Sequence, residues 1–442
     1  MELIDQIEKR LCRLPVDHYE VYLQERRVFQ TESRHEKLFS LEEAHERGFA
    51  VRLFRGDRIG FAHGNEGQAA GVNRVIELAL QNLAAIDAVQ VFPLPSQPSV
   101  PLWTPPFDDQ LRKYSHQEKF TLACRMEQVA TQTDRRIARV RGAQYDEEVL
   151  AVTLRNSRGF AGHYQSSRCA LSLMAVAEEG GLQESSWESD FSPHLNQLNP
   201  EKVGQGAAHK ALALLGGRPV RSQTARALLG PVVASSFLGV LASSFLGDQV
   251  RKGRSALADR VGETIYSPLI HLIDDPQVLH GYQPFPFDAE GTLAERTEVV
   301  RAGVLQGFLY DGPTAGLVQQ RSTGNAIRIS YKEPPRVGMS NFLVQPGTAT
   351  LAELMVALGD GFLISDVIGV HTADPVTGDF SLGASGYWVE RGEKQGAVRG
   401  VAISGNLHEL FNRVIQVGEG LRFYNNYGSP PLLISAIGIS GT

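Results

Sequence analysis

The sequence predicts an α+β protein in which strand-rich sheets are covered on one side by helices. Three observations carry that expectation. Runs such as EVYLQERRVFQ and RGFAVRLFRGDRIGFAHG read as strands, the second folding back at Gly56-Asp57. Segments with apolar residues at helical spacing, such as GVNRVIELALQNLAAID over 71–87, stand between strand runs. From about residue 220 onward the strand-like stretches are punctuated by glycines, the pattern of antiparallel hairpins.

Taken in order, residues 1–14 read as an amphipathic helix, and with the first strands and the 71–87 helix they make an N-terminal α/β unit over 1–92. Between Pro93 and Pro106 the chain holds six prolines, too many for a helix or a central strand, so 93–110 is expected as an extended linker. A central strand-rich unit, 111–218, should open with a helix over 116–132. It continues as a series of short strands with a turn at Asn156-Ser157-Arg158-Gly159, and ends in a helix from Pro200 with Gly217 as its stop. The remainder, 219–442, should be a large strand-rich unit interrupted by helices at LAELMVALGDG and GNLHELFNRVIQVG and closing on PPLLISAIGIS.

Composition bounds the function. A net charge of -6, without a basic stripe or tail, argues against a nucleic-acid binder that neutralises phosphates. The N-terminus alternates charged and apolar residues and lacks the uncharged core of a secretory signal, so the cytoplasm is the expected compartment. Cys12, Cys124 and Cys169 are far apart and odd in number, which fits reduced core thiols rather than a disulfide framework or a zinc knuckle.

The stretch ALLGPVVASSFLGVLASSFLG, 227–247, has no charge and repeats ASSFLG. Its length approaches a membrane span, and Ser235, Gly239, Ser243 and Gly247 form a ridge of small residues. Yet Gly230-Pro231 starts the helix late and leaves seventeen residues, roughly 25 Å, with four serines inside. The expectation is a helix of a soluble unit, buried on nearly all faces, with Phe237, Leu238, Leu241 and Phe245 in a core. Its small ridge would admit a neighbouring helix or a second subunit.

The motifs C-terminal to that stretch are more specific. GDQVRKGRSALADRVGE (247–263), LIDDP (272–276), FDAEGT (287–292), RSTGNA (321–326), TGDFSLGASGYWVERGE (377–393), VRGVAISGNLHELF (398–411) and the closing GSPPLLISAIGISGT succeed one another in order. Together they resemble the TldD/PmbA family of metalloproteases, also called modulators of DNA gyrase, over nearly the whole chain. In the proteolytic branch of that family an HExxxH helix and a later cysteine hold the metal, and the glutamate takes a proton from metal-bound water. The resemblance places the first histidine at Leu238, the glutamate at Gly239, the second histidine at Ser243 and the cysteine near Tyr424. None is a ligand or a base of the required type. The chain is therefore similar to the PmbA/TldE branch, which pairs with a TldD-type subunit. That likeness implies no cofactor in this chain and zinc or iron in the partner, a heterodimer or, in isolation, a homodimer, and extended peptides as substrates. It also implies peptide or partner contacts at Asp248, Arg251, Ser255, Asn325, Asp379 and Ser381, with no role for nucleic acid or membrane.

Other sites are weaker. None of the twelve histidines stands in an HxxxH or HxH pair, and His35-Glu36 and His408-Glu409 lack a second histidine four residues on, so solvated or capping roles are expected. Asp274-Asp275, Asp288 with Glu290, and Asp379 could build a relocated acid/base or cation site, the alternative being a stand-alone homodimeric peptidase. Asp274-Asp275-Pro276 reads more simply as a turn before a proline, and Asp379 as a turn with its side chain bonded to backbone. A third possibility is a binding protein for a peptide precursor or for gyrase. Ser385 in GASGY does not fit a nucleophile elbow, and no glycine-rich loop has the spacing of a nucleotide site.

Overall fold

Alternating apolar residues in the N-terminal runs produce strands β1 (His18–Arg34), β2 (Lys37–Arg55) and β3 (Arg58–Gly64), with Gly56 at positive φ in the turn before β3. A computed structural model describes residues 3–86, 93–97 and 102–441; residues 1, 2 and 87, expected in helices, and 98–101 of the proline-rich segment lie outside the described residues. The next strands are β4 (Ile137–Asn156), β5 (Ala161–Glu179) and β6 (Leu182–Ser192). Short strands were expected here, but β4 and β5 run for 20 and 19 residues. The reason is that bulges near Ile137 and Val140 bend β4 without ending it, so Tyr145, Val149 and Leu171 stay on one buried face.

These six strands form one antiparallel sheet in the order β3-β2-β1-β4-β5-β6. The strands on either side of the proline-rich segment therefore belong to a single sheet, joined by a β1–β4 ladder from Glu20↔Asn156 to Ser33↔Ala143. Helices α1 (Leu3–Leu11), α2 (Ala69–Ala85), α3 (His116–Thr133) and α4 (Pro200–Leu214) cover the face that carries Val21, Phe29 and Tyr145. Ser115 and Glu118 start α3 with a reciprocal capping box, and Asn199 followed by Pro200 starts α4. The left-handed residue after α4 is Gly216 rather than the expected Gly217.

The opposite face, with Tyr22, Ala50, Val152 and Leu154, packs on Phe287, Ala326 and Tyr331 of the C-terminal region. That region has strands β7 (Gln223–Leu229), β8 (Leu272–Asp274), β9 (Thr297–Arg301), β10 (Val304–Leu305), β11 (Ala326–Ile327), β12 (Arg336–Val337) and β13 (Phe342–Val344). It continues with β14 (Gly361–Ile368), β15 (Asp379–Glu390), β16 (Glu393–Asn406), β17 (Val414–Val417), β18 (Arg422–Tyr424), β19 (Tyr427–Ser429) and β20 (Leu432–Ser440). One sheet runs β16-β15-β14-β7-β20-β17 and closes on itself through β16–β20; the other runs β10-β9-β8-β13-β19-β18. Pairing is mostly antiparallel, as expected, but β7–β14 and β13–β19 are parallel.

Helices α5 (Pro231–Leu241), α6 (Gly247–Arg251), α7 (Gly312–Leu317), α8 (Leu351–Leu358) and α9 (Leu407–Asn412) accompany these sheets. The expected seventeen-residue helix is thus broken: α5 has 11 residues, Ala242–Phe245 tightens into a 3-10 turn, and Leu246 is extended. The cause is a strand-like bridge, in which Leu309 N donates to Phe245 O and Gly247 N to Leu309 O, each at 2.9 Å. Among the described residues no helix is long and apolar enough to cross a membrane. All three cysteines are free, but only Cys169 is a core thiol; Cys12, just past the end of α1, is exposed, and Cys124 of α3 is half-buried.

Candidate functional site

Helix α5 begins where β7 ends, with Gly230 N bonded to Ile364 O of β14 and Pro231 in the first turn. Phe237, Leu238, Leu241 and Phe245 are fully buried, as expected from the sequence, and Phe237 lies 5.3 Å from the Phe380 ring. The ridge of small residues meets other segments, not a second helix. A Cβ at Gly239 would stand 3.1 Å from the Tyr427 ring of β19, Ser235 Oγ donates to Arg422 O of β18 at 3.4 Å, and Gly247 lies under the Tyr310 ring.

The four positions matched to a metal site therefore carry an alkyl group, a hydrogen, a hydroxyl and a phenol. Leu238 is in the core, Gly239 leaves no room beneath Tyr427, and Ser243 donates to Pro375 O at 3.5 Å. Tyr424 packs edge-on against Trp187 at 5.5 Å; its buried hydroxyl has no partner among the described residues, and burial raises its pKa. Such a donor set, without imidazole, thiolate or carboxylate, does not fit zinc, and a single phenol does not make an iron site. Among the described residues no group of three or more His, Cys, Asp or Glu is placed to hold a metal ion.

Three consecutive family domains match the chain, the motif segments from 247 onward falling in the last of them. These are PmbA/TldA metallopeptidase domain 1 over 19–83, the central domain over 109–215, and the C-terminal domain over 222–441. The chain belongs to the TldD/PmbA family. Metalloprotease PmbA of Escherichia coli O157:H7 is 28% identical over 328 residues, which cover 74% of this chain and 70% of that protein. A Metalloprotease of Archaeoglobus fulgidus is 30% identical over 316 residues, 66% of this chain and 71% of that one. The fold is shared with TldE from Thermococcus kodakarensis (TM-score 0.88, 21% identity, 99% of both chains). It is also shared with a Thermotoga maritima protein described as a candidate modulator of a DNA gyrase (TM-score 0.92, 24% identity, 99% of both chains).

The other motif residues of this TldD/PmbA member divide into interior and surface groups. Asn325 is 1% exposed and donates to Asp274 Oδ2 at 2.7 Å and to Gly338 O at 3.0 Å. Ser255 is buried, donating to Ser244 O and accepting from Leu257 N. Asp248 holds Lys252 at 2.7 Å through Oδ2, while its buried Oδ1 has no partner among the described residues. Arg251, Asp379 and Ser381 are exposed. Asp379 accepts from Thr377 Oγ1 and Asn406 Nδ2, side chains rather than the backbone expected for a simple turn.

The carboxylates of the alternative reading serve the fold. Asp274 closes strand β8 rather than sitting in a loop, and accepts from Asn325 Nδ2, Ser340 N and Ser340 Oγ. Burial pushes it up to about 6 against those hydrogen bonds. Asp288 accepts from Glu290 N, Thr292 N and Ala326 N, and Glu290 accepts from Arg52 Nη1 and Gly312 N. His35 and Glu36 form a left-handed hairpin turn whose N–H groups donate to Glu127. His408, expected in a solvated or capping role, instead stacks on Tyr266 and bonds its hydroxyl at 2.9 Å, and burial lowers its pKa.

Sequence reasoning missed two sets of residues. Tyr427, three positions before the closing PPLL run, covers Gly239, and a buried ion network joins Glu20, Arg52, Arg328 and Glu290. No local pattern signals that network, since Arg328 lies 308 positions from Glu20.

Proposed function

We propose that this chain is the PmbA/TldE-type subunit of a heterodimeric TldD-type metalloprotease, working in the cytoplasm on extended peptides. The observation that supports it is the packing at the matched metal positions, where Leu238 fills a core and Gly239 admits Tyr427. In this reading zinc or iron and the proton-accepting glutamate belong to the TldD-type partner. When bound there, the metal supplies the activated water for peptide cleavage. This chain contributes walls that hold the peptide, with Asp248, Arg251, Asp379 and Ser381 as the candidate contacts nearest solvent. Free cysteines accord with a reducing compartment.

The test is a peptidase assay on the purified chain alone and mixed with a TldD homologue carrying HExxxH. Activity is expected only in the mixture, and it should fall on chelation. Strong, chelator-sensitive cleavage by this chain alone would overturn the proposal. The stand-alone reading gains no support from the loop carboxylates, since Asp274, Asp288 and Glu290 are each buried and bound to the chain's own donors.

A further inference from the structure

Between the later half of α4, the edge strand β6 and the first turn of α5 lies a cavity of about 210 Å³, where roughly 150 Å³ is enough for a ligand the size of benzene. Trp187, which packs on Tyr424, and Val232 of α5 line it, so it adjoins two elements matched to the metal site while lying away from Leu238 and Gly239. A bulge in β14 between Ile364 and Asp366 brings the adjacent residues Ser365 and Asp366 to the same cavity; a regular strand would turn them to opposite faces.

This wall offers acceptors that the chain leaves unused. Asp366 Oδ1 accepts Val367 N at 2.9 Å, but Oδ2 has neither a hydrogen bond nor an ion pair among the described residues. Ser186, 8% exposed, and Ser365 carry hydroxyls that also lack partners among the described residues. All three oxygens keep accessible surface, unlike the sealed hydroxyl of Tyr424. Burial raises the Asp366 pKa, against the Val367 N–H and the more distant Lys210, as expected of a carboxylate held without a cation. The cations of the same wall are engaged elsewhere. Lys210 Nζ is bound to Glu188 at 2.8 Å and to Trp187 O at 3.5 Å, and the exposed Lys394 lies 4.3 Å from the centre of the Tyr387 ring. Leu214, Val232 and the Trp187 ring complete the lining with apolar surface. An alkylammonium carries three N–H donors on an apolar stem, one donor for each open oxygen, and its charge is complementary to the carboxylate.

We propose that this cavity seats a primary ammonium group of a peptide, a lysine side chain or a free amino end, with Asp366, Ser186 and Ser365 as its acceptors. The peptide as source rests on the reading of this chain as a wall that holds substrate. Saturation-transfer NMR on the full chain at pH 7 tests the site with n-butylamine as the probe and n-butanol as the uncharged control. No TldD-type subunit is present, so a failed site and a failed cleavage assay are told apart. Transfer should reach n-butylamine and not n-butanol. Asp366→Asn keeps the shape and should weaken n-butylamine binding about tenfold or more, and Ser186→Ala/Ser365→Ala about threefold or more. Lys394→Gln should not weaken it. Competition by Nα-acetyl-lysine amide identifies the side chain as the source, and competition by leucinamide the amino end. Equal transfer to n-butanol, undiminished binding in Asp366→Asn, a loss in Lys394→Gln as large as that in Asp366→Asn, or competition by neither amide would each overturn the proposal.

Discussion

Helix α5 and the interior beside Arg328 differ in what they bury. Around α5, where the family motif would place chemistry, an alkyl side chain and a hydrogen leave little for a ligand to contact. Beside Arg328, where the FDAEGT and RSTGNA motifs meet the N-terminal sheet, two guanidinium nitrogens are buried without partners among the described residues. The contrast teaches that motif position identifies where to look, and that the side chains found there decide what chemistry is available.

The strongest way to break the comparison is to unbalance the ion network. Arg52→Leu leaves Glu20 and Glu290 buried without their shared cation, and should cost about 4 kcal/mol in urea unfolding. At α5, Leu238→Ala should cost about 3 kcal/mol by opening a hole in a full core, with no gain in metal binding by equilibrium dialysis. A metal bound by the variant would mean that α5 is less closed than its packing indicates.

Asp274 sharpens the contrast through pH. Its carboxyl is held at about 6 instead of the ordinary 3.8, so the folded chain retains the proton more strongly than the unfolded one. The associated stabilisation is fully present below the ordinary value and is lost as pH rises from about 4 through about 6, a change on the order of 3 kcal/mol at most. Asp274→Asn should flatten that part of the stability curve; an unchanged slope would remove Asp274 as its source. At the small end, Lys252→Ala breaks an exposed i,i+4 pair with Asp248 and should shift stability by about 0.5 kcal/mol or less.

Local signals were legible where neighbours in sequence decide the structure. The hairpin turn at Gly56-Asp57, the turn ending at Gly159 and the helix from Pro200 all arise from residues within a few positions. The buried faces of α5 were legible from composition, but its early end was not, because Leu309 stops it from 62 positions away. The same holds for Tyr427 over Gly239 and for Arg328 against Glu20. Periodicity reports the environment of a segment, whereas partners brought in by tertiary pairing have no period.

The β1–β4 ladder has a consequence for fragments of the chain. Fourteen paired positions join strands that the proline-rich segment separates in sequence. A cut in the described stretch 93–97 would sever the covalent path and leave that ladder intact. The halves should stay associated, and if made separately should find each other, each supplying the sheet edge that the other lacks.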